Sequence, residues 1–239
     1  MQEFDQDEFN TFVLESGIVG FKDDPITLKS GRESHWYVNW RQVAGDAKKL
    51  LTLADFIVGY VRDKEVGGDF FYGVPDGATS IGFAAQLAYA KEDLNDGGLY
   101  PMVLKRSKPK GHGDPVDRDF VGKPAGKVIV IEDVTTTGGS LIDTLEYWQS
   151  VETVDVSAAI GLTNRQDAFP EGSRVEDLVA KMGIPYHALS TGPELLPLAH
   201  NIAFDEAYEK KGDLQKLYNV AAHVQQEFAA VGIELKLVR

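Results

Sequence analysis

Apolar residues along this chain recur in two spacings, one near the helical turn and one packed into short continuous runs, and the two alternate through the middle of the sequence. Near the start, Phe4, Phe9, Phe12 and Val13 fall at helical spacing among acids and Gly17 offers a C-cap, so an amphipathic helix is expected over residues 5–16. LLTLADFIVGYV predicts a second helix over 50–61, and DFFYGV a short apolar strand over 69–74. Pro75-Asp76-Gly77 then punctuates the chain before a helix expected over 80–91. Residues 101–105 are strand-like, 107–126 form a polar loop rich in Gly and Pro, and 127–134 carry the unbroken apolar run of a strand covered on both faces. A helix over 141–150, a strand over 153–162, a helix over 175–182 and a strand over 185–189 follow. Strands alternating with helices predict an α/β fold with a mostly parallel central sheet flanked by helices. After Gly192 the pattern is helical only, over 204–208 and 214–231, separated by Lys210-Lys211-Gly212. The organisation expected is a domain over 1–195 and a helical extension over 196–239 packed on it.

Composition narrows the class. With 239 residues, 43% hydrophobic and 26% charged, the chain can build one sizeable core. No stretch approaches the roughly 18 apolar residues of a membrane span, and MQEFDQDEFN lacks the features of a secretory signal, so a cytoplasmic location is expected. The absence of cysteine excludes disulfides, thiolate zinc sites and cysteine nucleophiles, and five scattered His suggest no metal cluster. A net charge of −13 argues against nucleic acid as a partner. The same excess suits a salty cytoplasm, a hypothesis that comparing stability in molar and dilute salt would test.

In VIVIEDVTTTGGS, Glu132 and Asp133 fall at the carboxyl end of a strand, where open α/β sheets place their ligands. Thr135, Thr136, Thr137, Gly138, Gly139 and Ser140 then supply hydroxyls, bare backbone and a helix start, a donor set suited to a phosphate monoester. Two carboxylates beside a phosphate repel it unless they accept hydrogen bonds from sugar hydroxyls, so a ligand with both a phosphate and a cis-diol fits best. A P-loop is excluded because no Lys follows the glycines, and a dinucleotide fold for want of Gly-x-Gly-x-x-Gly.

Against the acidic background, Lys105, Arg106, Lys108 and Lys110 lie together without an acid and run into Gly111-His112-Gly113. Concentrated cation on a Gly- and Pro-flanked loop implies an anionic partner and a lid able to meet charge developing on a leaving group.

Together these segments resemble the type I phosphoribosyltransferases, and among them the orotate phosphoribosyltransferase family. RSKPKGHG is similar to the family's loop pattern Arg-Lys-x-x-Lys-x-His/Tyr-Gly, with Ser107 where Lys is usual and Lys108 one place later. LKSGRESHWYVNWR resembles the family's N-terminal pattern with Lys29, Ser30, Gly31, Ser34, Tyr37 and Arg41 in register. Thr163-Asn164-Arg165-Gln166 resembles Asp-Arg-Gln with Asn164 in place of Asp, and GVPDGATSIG places Gly77 where many members carry Lys. The resemblance implies the type I fold with an N-terminal hood, and transfer of a phosphoribosyl group from phosphoribosyl diphosphate to orotate in pyrimidine biosynthesis. It implies diphosphate-side contacts from Arg106, Lys108, Lys110 and His112, and ribose and 5-phosphate contacts from Glu132, Asp133, Val134, Thr135, Thr136, Thr137, Gly138, Gly139 and Ser140. Lys110, His112 and Asp133 take the catalytic roles, and Lys29, Tyr37, Thr136 and Arg165 the orotate contacts. Mg²⁺ is implied as cofactor, held by substrate oxygens and water without dedicated protein ligands, and a homodimer sharing the loop is implied as the assembly. The alternatives are the same chemistry on another nucleobase, or a regulator that binds phosphoribosyl diphosphate on the same fold.

Overall fold

Helix caps and sheet register set the frame of the computed structural model, which describes residues 3–28, 31–95, 98–106, 108, 111, 116–166, 172–210 and 212–237. Helix α1 (Gln6–Glu15) starts at Asp5, whose carboxylate accepts from Glu8 N. Strands β1 (Val19–Thr27) and β2 (Glu33–Val38) pair antiparallel, with Gly20 opposite Tyr37, Phe21 opposite Trp36, and a register shift between Phe21 and Ile26. Strand alternation buries Ser34 and Trp36 on one face of β2 and turns the half-buried His35 and Tyr37 to the other. The sequence pattern did not single out this hairpin, because Lys22, Asp23 and Asp24 leave it without a continuous apolar face.

Helices α2 (Arg41–Ala44) and α3 (Ala47–Asp63) follow, α3 capped by Asp46 accepting from Lys48 N and Lys49 N. Then come β3 (Phe70–Gly73), α4 (Thr79–Lys91), β4 (Leu104–Lys105), α5 (Val116–Asp119) and β5 (Phe120–Val121). The strand expected over 101–105 is confined to the two residues of β4, which pair antiparallel with β5. The chain continues through β6 (Gly126–Thr135), α6 (Gly139–Gln149), β7 (Val154–Asn164), α7 (Val175–Lys181), β8 (Tyr186–Ala188), α8 (Gly192–Glu209) and α9 (Leu214–Ala229).

Among the described residues the central sheet is parallel, in the order β3-β6-β7-β8. Side chains alternate across β6: Val128 and Val130 pack with Leu141, Leu145, Trp148, Val175 and Val179, while Ile129 and Ile131 pack with the α3 and α4 side. This two-sided burial is what an unbroken apolar run requires. The order and the parallel pairing bring the carboxyl ends of β3, β6 and β7 to one edge.

The C-terminal helices lie on the N-terminal hairpin, α8 against α1 and β1, and α9 against β1 and β2. Helix α8 is continuous from Gly192, well before the helix expected over 204–208, and is started by a capping box between Thr191 and Glu194. Pro193 sits in its first turn, where a missing N–H costs nothing, so Gly192-Pro193 marks the helix start.

Candidate active site

At the sheet edge a cleft of about 630 Å³ is lined by Arg41, Pro75, Asp76 and Gly77, by Glu132, Asp133 and Val134 from the end of β6, by Thr136 through Ser140, and by Asp143. Each wall has a local cause. Strand β6 ends in Glu132 and Asp133 after the residues that fill both sheet faces, so the acids emerge where burial stops. Gly138 then turns the chain with φ 88°, and a Cβ there would collide with Val175, so only glycine allows the loop to close onto the start of α6. The N-terminus of α6 opens on the cleft beside the hydroxyls of Thr136, Thr137 and Ser140, and the helix dipole there favours an anion. Asp133 is oriented by its own backbone, Oδ1 accepting from Val134 N at 2.9 Å. Thr135 is the member of the run that turns away: it is buried, and its hydroxyl lies 2.7 Å from the Tyr186 phenol. Burial pushes the Tyr186 hydroxyl well above its usual range, so it stays protonated and fixes this contact.

The cleft is electrostatically lopsided. Asp76, Glu132, Asp133 and Asp143 bring four carboxylates to its lining, against the single guanidinium of Arg41 among the described residues. A phosphorylated ligand therefore needs further positive charge. Beside it, sharing Pro75 and Asp76, a cavity of about 230 Å³ is bordered by Lys105 and Arg106. Arg106 is tied to the end of α5 and to β5, its backbone N–H donating to Asp119 O and its Nε to Phe120 O at 3.0 Å, and Lys105 Nζ stands over the Tyr147 ring. Lys108 is exposed. Lys110, His112, Ser107 and Lys29 lie outside the described residues.

Behind the carboxyl end of β7 a second polar cluster is built. Arg165 is only 1% exposed, its guanidinium 3.7 Å from the ring centroid of Trp36, which is fully buried. Arg165 Nη2 donates to Ser34 Oγ at 2.9 Å, and Nη1 approaches Trp36 O at 3.4 Å. The buried indole N–H of Trp36 has no acceptor among the described residues, so the cluster is rich in donors. Tyr37 belongs to the opposite face of β2, with its ring against Gly20 and under Lys22 Nζ. Arg165 and Tyr37 are thus on different faces of the hood hairpin, and neither lines the acidic cleft.

No family model matches the chain. Over 161 residues it is 32% identical to an orotate phosphoribosyltransferase of Thermococcus gammatolerans, covering 67% of this chain and 78% of that protein. The chain belongs to the orotate phosphoribosyltransferase family. A member from Rhizobium meliloti is 33% identical over 186 residues, 77% of this chain and 75% of its own. The fold agrees with solved orotate phosphoribosyltransferases: that of Francisella tularensis superposes with a TM-score of 0.60 at 20% identity, covering 92% of this chain and 98% of the other. That of Aeropyrum pernix gives 0.56 at 24% identity, covering 79% and 96%.

Within the family frame, the structure draws Glu132, Asp133, Val134, Thr136, Thr137, Gly138, Gly139 and Ser140 into one cleft and adds residues that spacing did not reveal. Asp76 and Asp143 are such additions. Asp143 stands four residues into the helix that follows the loop, and helical periodicity could have placed it on the cleft side with Gly139. Away from the cleft, Ser34, which stands in register with the N-terminal pattern, is hydrogen-bonded to Glu227, 193 residues away in sequence, and no local signal announces that partner.

Proposed function

We propose that this chain transfers the phosphoribosyl group from phosphoribosyl diphosphate to N1 of orotate, giving orotidine 5′-phosphate and diphosphate. The observation that carries the reading is the single cleft uniting two strand-end carboxylates with a Gly-Ser helix start, in a chain of this family. The 5-phosphate is received by the backbone N–H groups at the start of α6 and by the hydroxyls of Thr136, Thr137 and Ser140. Glu132 and Asp133 accept from the ribose hydroxyls, and Asp133, with Oδ1 occupied by Val134 N, is oriented before the substrate arrives. As the bond from the anomeric carbon to diphosphate oxygen breaks, positive charge grows on the ribose and negative charge on the leaving oxygens. Carboxylates close to the ring stabilise the first, and the basic segment stabilises the second. Arg106, Lys108, Lys110 and His112 are proposed for the diphosphate, with Lys110 and His112 acting on the leaving group. The bond from the anomeric carbon to N1 of orotate forms as the bond to diphosphate breaks, and the N1 proton passes to solvent water or to an oxygen of the departing diphosphate. On the base side, Lys29 and Arg165 supply cations for the orotate carboxylate and Thr136 adds its hydroxyl, while Tyr37, on the opposite face of β2 from Trp36, is left out of this pocket.

Mg²⁺ fits this site for an electrostatic reason. Among the described residues the cleft lining carries four carboxylates and one guanidinium, so an added cation offsets the charge that a polyanion brings. No cluster of three or more potential metal ligands occurs among the described residues. Oxygens of the substrate, water and a cleft carboxylate such as Asp133 or Asp76 are the hard ligands this ion prefers. Bound there it supplies charge neutralisation of the diphosphate.

A homodimer is the proposed assembly. Leu50, Leu51, Phe83, Leu87 and Leu104 line an apolar groove on α3, α4 and β4, with Leu51 59% and Leu87 50% exposed. The groove also touches Asp76 and Thr79, which border the cavities beside the site, so a second copy seated there reaches the diphosphate side. No helix among the described residues is long and apolar enough to cross a membrane, and a cytoplasmic location is proposed with it.

The test supplies phosphoribosyl diphosphate and Mg²⁺ with a panel of bases and measures nucleotide and diphosphate. Orotidine 5′-phosphate is expected from orotate; product from another base alone, or binding without turnover, overturns the reading.

A further inference from the structure

Helix α9 contacts the hood hairpin along one face. Lys216 pairs with Asp23, His223 stacks on His35 with ring centroids 4.5 Å apart, Glu227 meets Ser34 and His35, and Phe228 stacks on Trp36 at 5.8 Å. Most of these contacts only hold the hairpin. Glu227 does something more specific, because both of its carboxylate oxygens are committed to two consecutive residues of β2: Oε1 accepts from His35 N at 2.7 Å and Oε2 from Ser34 Oγ at 2.7 Å.

A serine hydroxyl has one proton. Ser34 Oγ has two acceptors in reach, Glu227 Oε2 at 2.7 Å and Trp36 O at 3.1 Å. The ionised carboxylate, nearer and charged, takes the proton. Oγ then presents only lone pairs to Arg165 Nη2 at 2.9 Å. The orientation of the guanidinium is thereby set from the C-terminal helix through one hydroxyl. A second contact, the guanidinium over the Trp36 ring, is backed from the same helix: Phe228 lies against that indole, and Gly192 leaves the room the ring needs. Ser34 and Trp36, two of the groups that touch Arg165, thus both lean on α9.

We propose that Glu227 is a positioning residue for the base site, fixing Arg165 through Ser34 so that the guanidinium meets the orotate carboxylate, and that the C-terminal extension serves substrate recognition in this way. The inference rests on the assignment of Arg165 to the orotate carboxylate. Glu227 reaches the arginine through one hydroxyl, Ser34 Oγ.

The test measures steady-state kinetics of the full chain with each substrate varied in turn, for Glu227→Ala, Glu227→Asp, Ser34→Ala, the double variant Glu227→Ala/Ser34→Ala, and Arg165→Ala. Glu227→Ala is expected to raise KM for orotate by about tenfold while KM for phosphoribosyl diphosphate changes by less than about twofold. Ser34→Ala should act alike, the double variant should be no worse than either single, and Glu227→Asp should recover part of the loss. Should Glu227→Ala fail to fold, Glu227→Gln, which keeps one acceptor and adds a donor, is expected to show the same split. A parallel rise in both KM values, or additive effects of the two single changes, would mean a merely structural clasp and overturns the proposal. An orotate KM that responds to Arg165→Ala but not to Glu227→Ala or Ser34→Ala overturns the relay alone. An orotate KM indifferent to Arg165→Ala overturns the assignment beneath it, and is distinguished by that variant.

Discussion

Gly77 and Asp133 meet so closely that a methyl group on residue 77 would lie 2.5 Å from Asp133 Oδ2. The carboxylate is held between this bare backbone and its own strand, where Oδ1 accepts from Val134 N. Many family members carry Lys at the position of Gly77; here the carboxylate occupies the space a side chain would need. Gly77→Ala should displace Asp133 from the position proposed for its ribose contact and raise KM for phosphoribosyl diphosphate by roughly tenfold, about 1.4 kcal/mol, with little change for orotate. Initial-rate kinetics with each substrate varied would check it, and an unchanged KM would remove Asp133 from the ribose site.

The loop proposed to receive the 5-phosphate depends on a second glycine for a different reason. Gly138 combines φ 88° with a side-chain position already filled by Val175, so Gly138→Ala meets both backbone strain and a clash. Together these should lower stability by about 2–4 kcal/mol, read as a fall in Tm. Inorganic phosphate, which protects the parent chain if the loop is its site, should protect the variant less.

How much of this was legible in the sequence depends on whether the determining contact is local. The run from Val128 through Ser140 declared itself, because alternate side chains of the strand enter the two halves of the core and the acids and glycines follow at once. The hairpin over β1 and β2 did not. Its outward residues Lys22, Asp23 and Asp24 are ordinary surface charges until Lys216 and the rest of α9 arrive from 190 residues away. The start of α8 was hidden because Gly192, Pro193 and Pro197 signal a break, while the Thr191 and Glu194 capping box and the first-turn position of Pro193 make it a helix. Arg165 was legible as a candidate but not as a buried group: nothing beside it in sequence announces Trp36, Ser34 or Glu227.

Two histidines give stability an acid dependence. His187, half-buried on β8 with its Nδ1 3.3 Å from the Tyr60 hydroxyl, has its pKa lowered by burial and then by Lys64. His200, edge-on to Phe21, is lowered by burial. Above the ordinary histidine value of about 6.5 both are neutral folded or unfolded, and their contribution is fully present. As pH falls below it, the unfolded chain takes up protons first and stability declines until the folded values are reached. The Tm should drop between pH 7.5 and pH 5, and the double variant His187→Gln/His200→Gln should show a shallower drop. An identical pH profile for parent and variant would refute the assignment.

Asn164 stands where the family pattern has Asp, and its surroundings explain the exchange. The residue is buried at the end of β7, its Nδ2 donating to Glu176 Oε2 at 3.2 Å while Oδ1 accepts from Gln166 N at 2.8 Å. An aspartate can keep the second bond but not the first, because it would set two carboxylates against each other at that distance. Asn164→Asp should therefore cost about 1–3 kcal/mol at neutral pH. The sign of the pH dependence separates repulsion from simple misfit. Two facing carboxylates raise the apparent pKa of one of them in the folded chain above the unfolded value of about 4. Below that value a shared proton relieves the repulsion, and as pH rises through the raised folded value the stability is lost. The difference in Tm between parent and Asn164→Asp should be small near pH 4 and grow toward pH 7, whereas steric misfit would give a constant difference. Asn164→Asp/Glu176→Gln, which restores a donor facing the new carboxylate, should recover most of the loss; a double variant no more stable than the single would show that the pair does not interact.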